Sequence, residues 1–171
     1  TLKQGRGLIE VAEVGENGIG KSRTALEENF HLSFPFIVRH EDDIYMIPET
    51  SEKQEIRIYE STSFPHEWRC YKTLIADVLA VDSILLKIEQ EWHLLTNLST
   101  GLVRDFGSEL WHFSASDLLQ SEWVPTVNNP ISTDAENARN AGSYQIGSTI
   151  YRCNQVPGFS KYGRGVTVNR I

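Results

Sequence analysis

Short apolar strands that alternate with polar turns recur along this chain in a fixed order. Three segments of equal length share that order: residues 34–49, 82–97 and 140–155. In each segment an apolar strand leads to a polar turn. A second strand, aromatic or β-branched, then ends on a polar side chain. Two alternating runs joined by a polar turn predict a β-hairpin. The sequence therefore predicts three copies of one hairpin.

The stretch that follows each hairpin also recurs. Residues 56–59 precede Trp68, and residues 110–113 precede Trp123, so each pair predicts a third strand and a fourth that carries tryptophan. The third copy closes on residues 165–171, and residues 8–14 predict a spare strand upstream. The copies start 48 and 58 residues apart, which is typical of a four-stranded propeller blade.

These patterns predict an all-β fold of β-propeller-like repeats, each a four-stranded antiparallel meander. Helical patterns are confined to residues 23–30 and 116–120 and are one or two turns long. We expect a single domain over residues 1–171 that is incomplete as a ring. Its predicted parts are an outer strand of a preceding blade with a linker at 1–29 and blades at 30–78, 79–135 and 136–171.

About three blades leave strand edges exposed, because a complete propeller has at least four. We therefore expect a missing domain, another chain or self-association to cover those edges. The chain starts at Thr1 and not at methionine, which indicates a fragment of a longer protein.

Composition and charge exclude several classes of partner. Hydrophobic residues make up 40% and charged residues 23%, as in packed domains. The net charge of -7 argues against nucleic acid or an anionic membrane surface, since both require a basic face. No apolar run approaches the ~20 residues that span a bilayer, and no signal peptide is visible. Cys70 and Cys153 are interpreted as unpaired thiols, which favours a reducing compartment such as the cytoplasm.

Residues 15–22 match the phosphate-loop pattern G-x-x-x-x-G-K-[ST]. That motif requires a buried strand before it and a helix after it, within alternating strands and helices. Here the preceding strand carries Glu10 and Glu13, and a new strand begins near His31. We therefore interpret the segment as a hairpin loop, and no nucleotide or other cofactor is predicted.

Candidate site residues follow from the repeat, because the inner strand of each blade lines the central channel of a propeller. Equivalent positions of the copies then converge on the axis. One set begins the inner strand and the other ends the second strand. Polar residues in register at buried strand ends favour a binding site; the alternative is that they cap strands and satisfy loop backbone. The two sets are Asp82 and Asn140, with Arg139 adjacent, and Glu49, Asn97 and Gln155.

Asp82 and Glu49 are the catalytic candidates, because glycoside chemistry uses two carboxyls that flank one bond. Arg139 and Arg152 are candidates for an anionic group, since a guanidinium pairs with oxyanions in a bidentate manner. A salt bridge to Asp82 or Glu49 is the alternative role. The histidines show no metal-ligand spacing, so no metal site is predicted. Trp92, Trp111 and Trp123 are expected to pack between blades.

Several short motifs together indicate a family. They are residues 31–36, 45–50, 81–83 and 137–142, together with Tyr151, Arg152, Gln155, Tyr162 and Gly163. These motifs resemble the N-terminal domain of plant glucosamine inositolphosphorylceramide transferases and its bacterial relatives, over residues 30–171. The resemblance implies a five-bladed, furanosidase-like propeller in a longer sugar-modifying protein. It adds His31 and Tyr162 to the substrate-binding candidates. Only Asp82 matches the superfamily's catalytic carboxylate at the start of an inner strand.

The leading hypothesis is a carbohydrate-recognising, glycosidase-like propeller domain that serves a larger sugar-modifying enzyme. Asp82, Glu49, Arg139, Asn140, Arg152 and Gln155 would line its pocket. The first alternative is a working glycoside hydrolase or transferase that uses Asp82 and Glu49. The second is a non-catalytic structural or interaction module.

Overall fold

The computed structural model describes residues 2–3, 5–100, 107–158 and 163–171. Within these ranges the fold is all-β, with one short 3-10 helix (Ser51–Lys53) and no α-helix. No helix in the described ranges is long and apolar enough to cross a membrane. Small two-stranded sheets occupy the N-terminal part. Their strands are β1 (Leu2–Lys3), β2 (Arg6–Gly7), β3 (Ile9–Val11), β4 (Val14–Gly15), β5 (Gly18–Ile19) and β6 (Arg23–Leu26).

Three larger antiparallel sheets follow in chain order, and each is a meander whose neighbouring strands are consecutive in sequence. Sheet one contains β7 (Ser33–His40), β8 (Asp43–Glu49), β9 (Glu55–Ser63) and β10 (Glu67–Ala76). Sheet two contains β11 (Ala80–Ile88), β12 (Glu91–Leu98), β13 (Leu110–Ala115) and β14 (Val124–Pro125). Sheet three contains β15 (Asn140–Ile146), β16 (Thr149–Val156) and β17 (Gly165–Arg170). The predicted all-β fold of blade-like meanders is confirmed.

The three hairpins share one register as well as one pattern. Each has a one-residue shift near the start of its inner strand, between Ser33 and Phe36, between Val81 and Ile84, and between Asn140 and Gly142. A β-bulge of this kind bends the strand and redirects the side chains that it carries. Because Asp82 and Asn140 occupy equivalent positions in these bulges, the repeat itself brings the candidate residues to one end of the sheets.

The main core lies between sheets one and two. Sheet one contributes Ile47 and Ile58, and sheet two contributes Leu85, Trp92 and Leu94, all at most 3% exposed. Full burial of one such side chain stabilises the fold by about 1.5–3 kcal/mol. Trp123 is also buried in this cluster, and Trp111 packs against it from a half-buried position. The three tryptophans thus pack in the core, as expected.

The N-terminal segment covers the opposite face of sheet one. Ile9, Leu26 and Phe30 form a buried cluster with Met46 and Tyr59 of that sheet. The predicted spare strand is present in part as β3, which pairs with β6. Its assignment to the outer part of a preceding blade stays a prediction.

The two short helical patterns in the sequence form no helix. Arg23–Leu26 is a strand, because pairing with β3 places Leu26 beside Ile9 in the buried cluster. At 116–120 the Asp117 carboxylate accepts the backbone N–H groups of Leu119 and Gln120 at 2.8 and 2.7 Å. These bonds hold a turn at residues 118–120.

Residues 15–22, which match the phosphate-loop pattern, lie in and after a tight hairpin. Val14 pairs with Ile19, and Gly15 pairs with Gly18, whose φ of 101° suits a glycine in a turn. The next element is strand β6 rather than a helix. The context that a phosphate loop requires is therefore missing here.

Candidate functional site

Two carboxyl groups on adjacent sheets form the centre of the candidate site. Glu49 ends β8 and is half-buried, whereas Asp82 lies in the bulge of β11 and is 3% exposed. Burial and the nearby charge of Asp82 raise the pKa of Glu49. The hydroxyls of Ser51 and Ser33 and the imidazole of His31 act in the opposite direction on that pKa. The structure thus brings the two predicted carboxyls close enough for the charge of Asp82 to raise the pKa of Glu49.

Asp82 is held by two side chains from sheet three. Arg139 Nε donates a hydrogen bond to Asp82 Oδ2 at 2.7 Å, and Gln155 Nε2 donates to the same oxygen at 3.3 Å. Burial raises the pKa of Asp82, and the Arg139 guanidinium lowers it, with burial the larger effect. The salt bridge that the sequence left as an alternative role for Arg139 is therefore present.

Asn140 and Asn97 are fully buried beneath these groups. The Asn140 amide nitrogen donates to the carbonyls of Asp82 and Leu95 at 2.8 and 3.0 Å. Its amide oxygen accepts Arg152 Nη1 at 2.9 Å. Asn97 binds the Asn140 backbone N–H at 3.0 Å through its oxygen and the Ala138 carbonyl at 3.0 Å through its nitrogen. This network fixes the bulges of sheets two and three to one another, and both asparagine side chains are 0% exposed.

Arg152 lies in different surroundings from Arg139. Its guanidinium is buried and donates to the carbonyls of Ala138 and Asn137 besides Asn140. It faces a cleft between sheets two and three, and Asp82 does not line that cleft. The structure therefore separates the two arginines that the sequence grouped together.

His31 belongs to the surroundings of Glu49. Its Nδ1 accepts the Gly7 backbone N–H at 3.0 Å, and its own backbone N–H donates to Glu52 Oε2 at 2.8 Å. Because Nδ1 is an acceptor, the neutral ring carries its proton on Nε2. His31, Ser33 and Phe34 line a cleft of about 350 Å³ beside Glu49. Tyr162 lies outside the described residues.

The bulges place two residues in the left-handed region of backbone space. Phe34 has a φ of 44° and Asp82 a φ of 51°. Aspartate tolerates this region better than most residues, whereas a bulky aromatic there is a conformational outlier. Such strain at equivalent positions of two sheets is typical of functional sites and points to the same end of the molecule.

Sequence reasoning missed three groups that the structure places around the carboxyls. Ser51 Oγ donates to Glu49 Oε1 at 3.1 Å. Glu52 and Gly7 hold His31 in place. Ser51, Glu52 and Gly7 lie outside the three repeated segments, so alignment of the repeats could not identify them. Within the described part of the chain, no group of three or more His, Cys, Asp or Glu side chains is placed to hold a metal ion.

Comparison with known proteins gives matches over nearly the whole chain. The family model described as glucosamine inositolphosphorylceramide transferase 1, N-terminal, matches residues 3–171. Glucosamine inositolphosphorylceramide transferase 1 of Oryza sativa subsp. japonica is 38% identical over 152 residues, which cover 86% of this chain and 20% of the rice protein. The chain thus spans about a fifth of the length of this relative.

Solved structures share the fold at low sequence identity. The GH43_1 enzyme from Xanthomonas citri complexed with xylose superposes with a TM-score of 0.60 at 9% identity, over 82% of this chain and 50% of that chain. A thermostable family-43 glycoside hydrolase gives a TM-score of 0.60 at 13% identity, over 94% of this chain and 66% of that chain. The three sheets therefore form part of a β-propeller fold.

Proposed function

This chain belongs to the glucosamine inositolphosphorylceramide transferase 1 N-terminal family, and from that premise we propose that it is a carbohydrate-recognising domain of a larger sugar-modifying enzyme. The proposed ligand is a sugar bound over the ends of sheets one and two. Glu49, Asp82 and Arg139 would contact its hydroxyl groups, with His31 and Gln155 at the sides. Asn97, Asn140 and Arg152 would support these groups from below.

The observation that carries the proposal is the pair of desolvated carboxyls, Glu49 and Asp82, on two adjacent sheets. Burying ionisable groups beside each other destabilises a fold unless they are paired or neutralised. Functional sites are where such groups accumulate. Carboxylates are also strong acceptors for hydroxyl donors, which a sugar presents in quantity. Family membership and propeller neighbours that include a xylose complex support the same function.

The geometry favours carbohydrate recognition without hydrolysis. Asp82 Oδ2 already accepts hydrogen bonds from Arg139 and Gln155, so that oxygen is occupied before any sugar or water approaches. The third sheet supplies Arg139 and Asn140 at the position where a further acid would be required. Arg139 is instead suited to hold a sugar hydroxyl or anionic substituent.

A glycan array tests the proposal directly. The chain is expected to bind at least one glycan class, and Glu49→Gln and Arg139→Gln are expected to weaken that binding by about tenfold, the effect of losing one charge-assisted hydrogen bond. Lys87→Gln is the control, because Lys87 is exposed over the Trp92 ring. An array without binders would contradict the proposal.

The rival proposal is an active glycoside hydrolase or transferase, and one observation favours it. Burial and the charge of Asp82 raise the pKa of Glu49, which is the direction that a general acid requires. Turnover of an aryl glycoside panel separates the two functions. Hydrolysis that is lost in both Glu49→Gln and Asp82→Asn would replace the recognition proposal with the enzymatic one.

A further inference from the structure

A second cleft, of about 490 Å³, lies between sheets two and three. Sheet two contributes His93 and His112 to its wall, and sheet three contributes Arg152 and Arg170. Neither Glu49 nor Asp82 lines it. The cleft is therefore a separate opening from the proposed carbohydrate site, although Arg152 is linked to the Asp82 backbone through Asn140.

The charge of Arg152 has only neutral partners within the described residues. The guanidinium group belongs to a residue that is 6% exposed, and its three hydrogen bonds end on the carbonyl oxygens of Ala138 and Asn137 and the amide oxygen of Asn140. Burial lowers its pKa. A buried cation without a counter-ion is costly, and a bound anion would offset that cost.

One further residue of the polar wall carries a fixed positive charge. Arg170, at the end of β17, is exposed at the cleft. No Asp or Glu side chain belongs to the cleft wall as the structure describes it. In a chain with a net charge of -7 this is an unusual local excess of cations, and it favours an anionic ligand.

The two histidines have fixed ring positions. His93 Nδ1 and His112 Nε2 are 2.9 Å apart, and the rings stack with centroids 5.1 Å apart. Thr126 Oγ1 lies 2.6 Å from His112 Nδ1. Of the ring nitrogens of His93 and His112, only His93 Nε2 takes no part in these bonds. It lies 3.9 Å from Glu91 Oε2. The pair thus presents a defined polar edge to the cleft.

The remaining wall is apolar. Leu86, Leu95 and Leu110 line it and belong to the small core shared by sheets two and three. A ligand that fills the cleft would therefore need an anionic end for the arginines and an apolar body for the leucines.

We propose that the cleft between sheets two and three binds a phosphomonoester with an apolar substituent. The phosphate pairs with Arg152 and Arg170, since guanidinium forks match phosphate oxygens and a phosphomonoester carries up to two negative charges. The apolar substituent packs on the leucines. The ligand is either a small soluble molecule or the headgroup of a lipid.

Calorimetric titration at low salt with butyl phosphate tests this proposal, with inorganic phosphate and butanol as partial ligands. Butyl phosphate is expected to bind more tightly than either. Arg170→Gln is expected to weaken its binding by about tenfold, the effect of losing one charge-assisted contact. Arg164→Gln is the matched control, because it removes the same charge from an exposed residue beside β17 that does not line the cleft.

Three results would overturn the proposal: no binding of butyl phosphate, equal affinity for inorganic phosphate, or equal losses in Arg170→Gln and Arg164→Gln. Vesicles that contain phosphatidic acid separate the two sources of the ligand. Capture by the vesicles that Arg170→Gln abolishes would identify a lipid headgroup. Binding of soluble butyl phosphate alone would identify a small molecule.

Discussion

At the scale of single residues, the candidate site reduces the stability of the fold, because it holds an ionisable side chain in a buried position. Asp82 is buried, has a positive φ and depends on Arg139 for its counter-charge. The sequence singled out Asp82 because an ionisable residue stood among apolar ones. It left the role of Arg139 open, because a salt bridge and a ligand contact have the same sequence pattern. The 2.7 Å contact shows the salt bridge, and a ligand contact of Arg139 stays a prediction.

Removing Arg139 is expected to leave Asp82 buried without its partner. Arg139→Gln should lower the free energy of unfolding by about 3 kcal/mol, as for other buried pairs that lose one member. Asp82→Asn in the same chain should restore much of that loss, because the uncompensated charge is gone. Urea denaturation measures both. Arg69→Gln is the control, since Arg69 lies on the surface and its pair with Glu60 should contribute under ~1 kcal/mol. Equal effects of the two arginine variants would contradict this assignment.

Glu49 is expected to make stability depend on pH. Its pKa is raised in the folded protein, mainly by burial and then by Asp82, so ionising it costs more in the folded state than in the unfolded state. The fold therefore loses stability as the pH rises from the ordinary glutamate pKa through the raised one. Glu49→Gln should raise the melting temperature at neutral pH and leave it unchanged below about pH 3, where the carboxyl is protonated in both the folded and the unfolded state. A constant difference at all pH values would show that ionisation is not the cause.

At the scale of elements, the repeat was predictable because strand period and turn chemistry are local properties. The hairpins at Ser33–His40 and Asp43–Glu49 and at Ala80–Ile88 and Glu91–Leu98 follow directly from short apolar strands joined by polar turns. The strand at Arg23–Leu26 has a non-local cause, since pairing with a distant strand, Ile9–Val11, overrides a short helical pattern. The bulges were not predicted. In β11 every position from Ala80 to Leu86 is buried, so there is no alternation whose phase a one-residue insertion could invert.

The N-terminal segment is expected to depend on Gly7, where a β-carbon would lie 2.1 Å from the Leu32 carbonyl oxygen and 2.8 Å from His31 Cε1. Gly7→Ala should displace β2, break the bond from Gly7 N–H to His31 and destabilise the fold by about 2 kcal/mol. Gly15→Ala is the control, because nothing lies within 4 Å of its β-carbon position. Thermal unfolding compares the two variants. A Gly15→Ala effect as large as that of Gly7→Ala would refute the close-contact explanation.

At the scale of the whole molecule, the fold is part of a β-propeller, and the chain belongs to a family whose curated rice member is about five times as long as the stretch matched here. Sheets one and two each have four strands, and sheet three has three within the described residues. Its outer face exposes Val166 and Val168 at 64% and 48%. Coverage of this face by another domain or chain stays a prediction, as do the blade boundaries and a ring of five blades.

The proposed function requires a sugar to bind over Glu49 and Asp82. A crystal structure of the chain with the tightest glycan from the array would show whether it does. We expect sugar density within hydrogen-bond distance of Glu49 and of Arg139 or Asp82, at the ends of sheets one and two. Sugar bound elsewhere on the molecule, with the Asp82–Arg139 pair untouched, would contradict the proposed function.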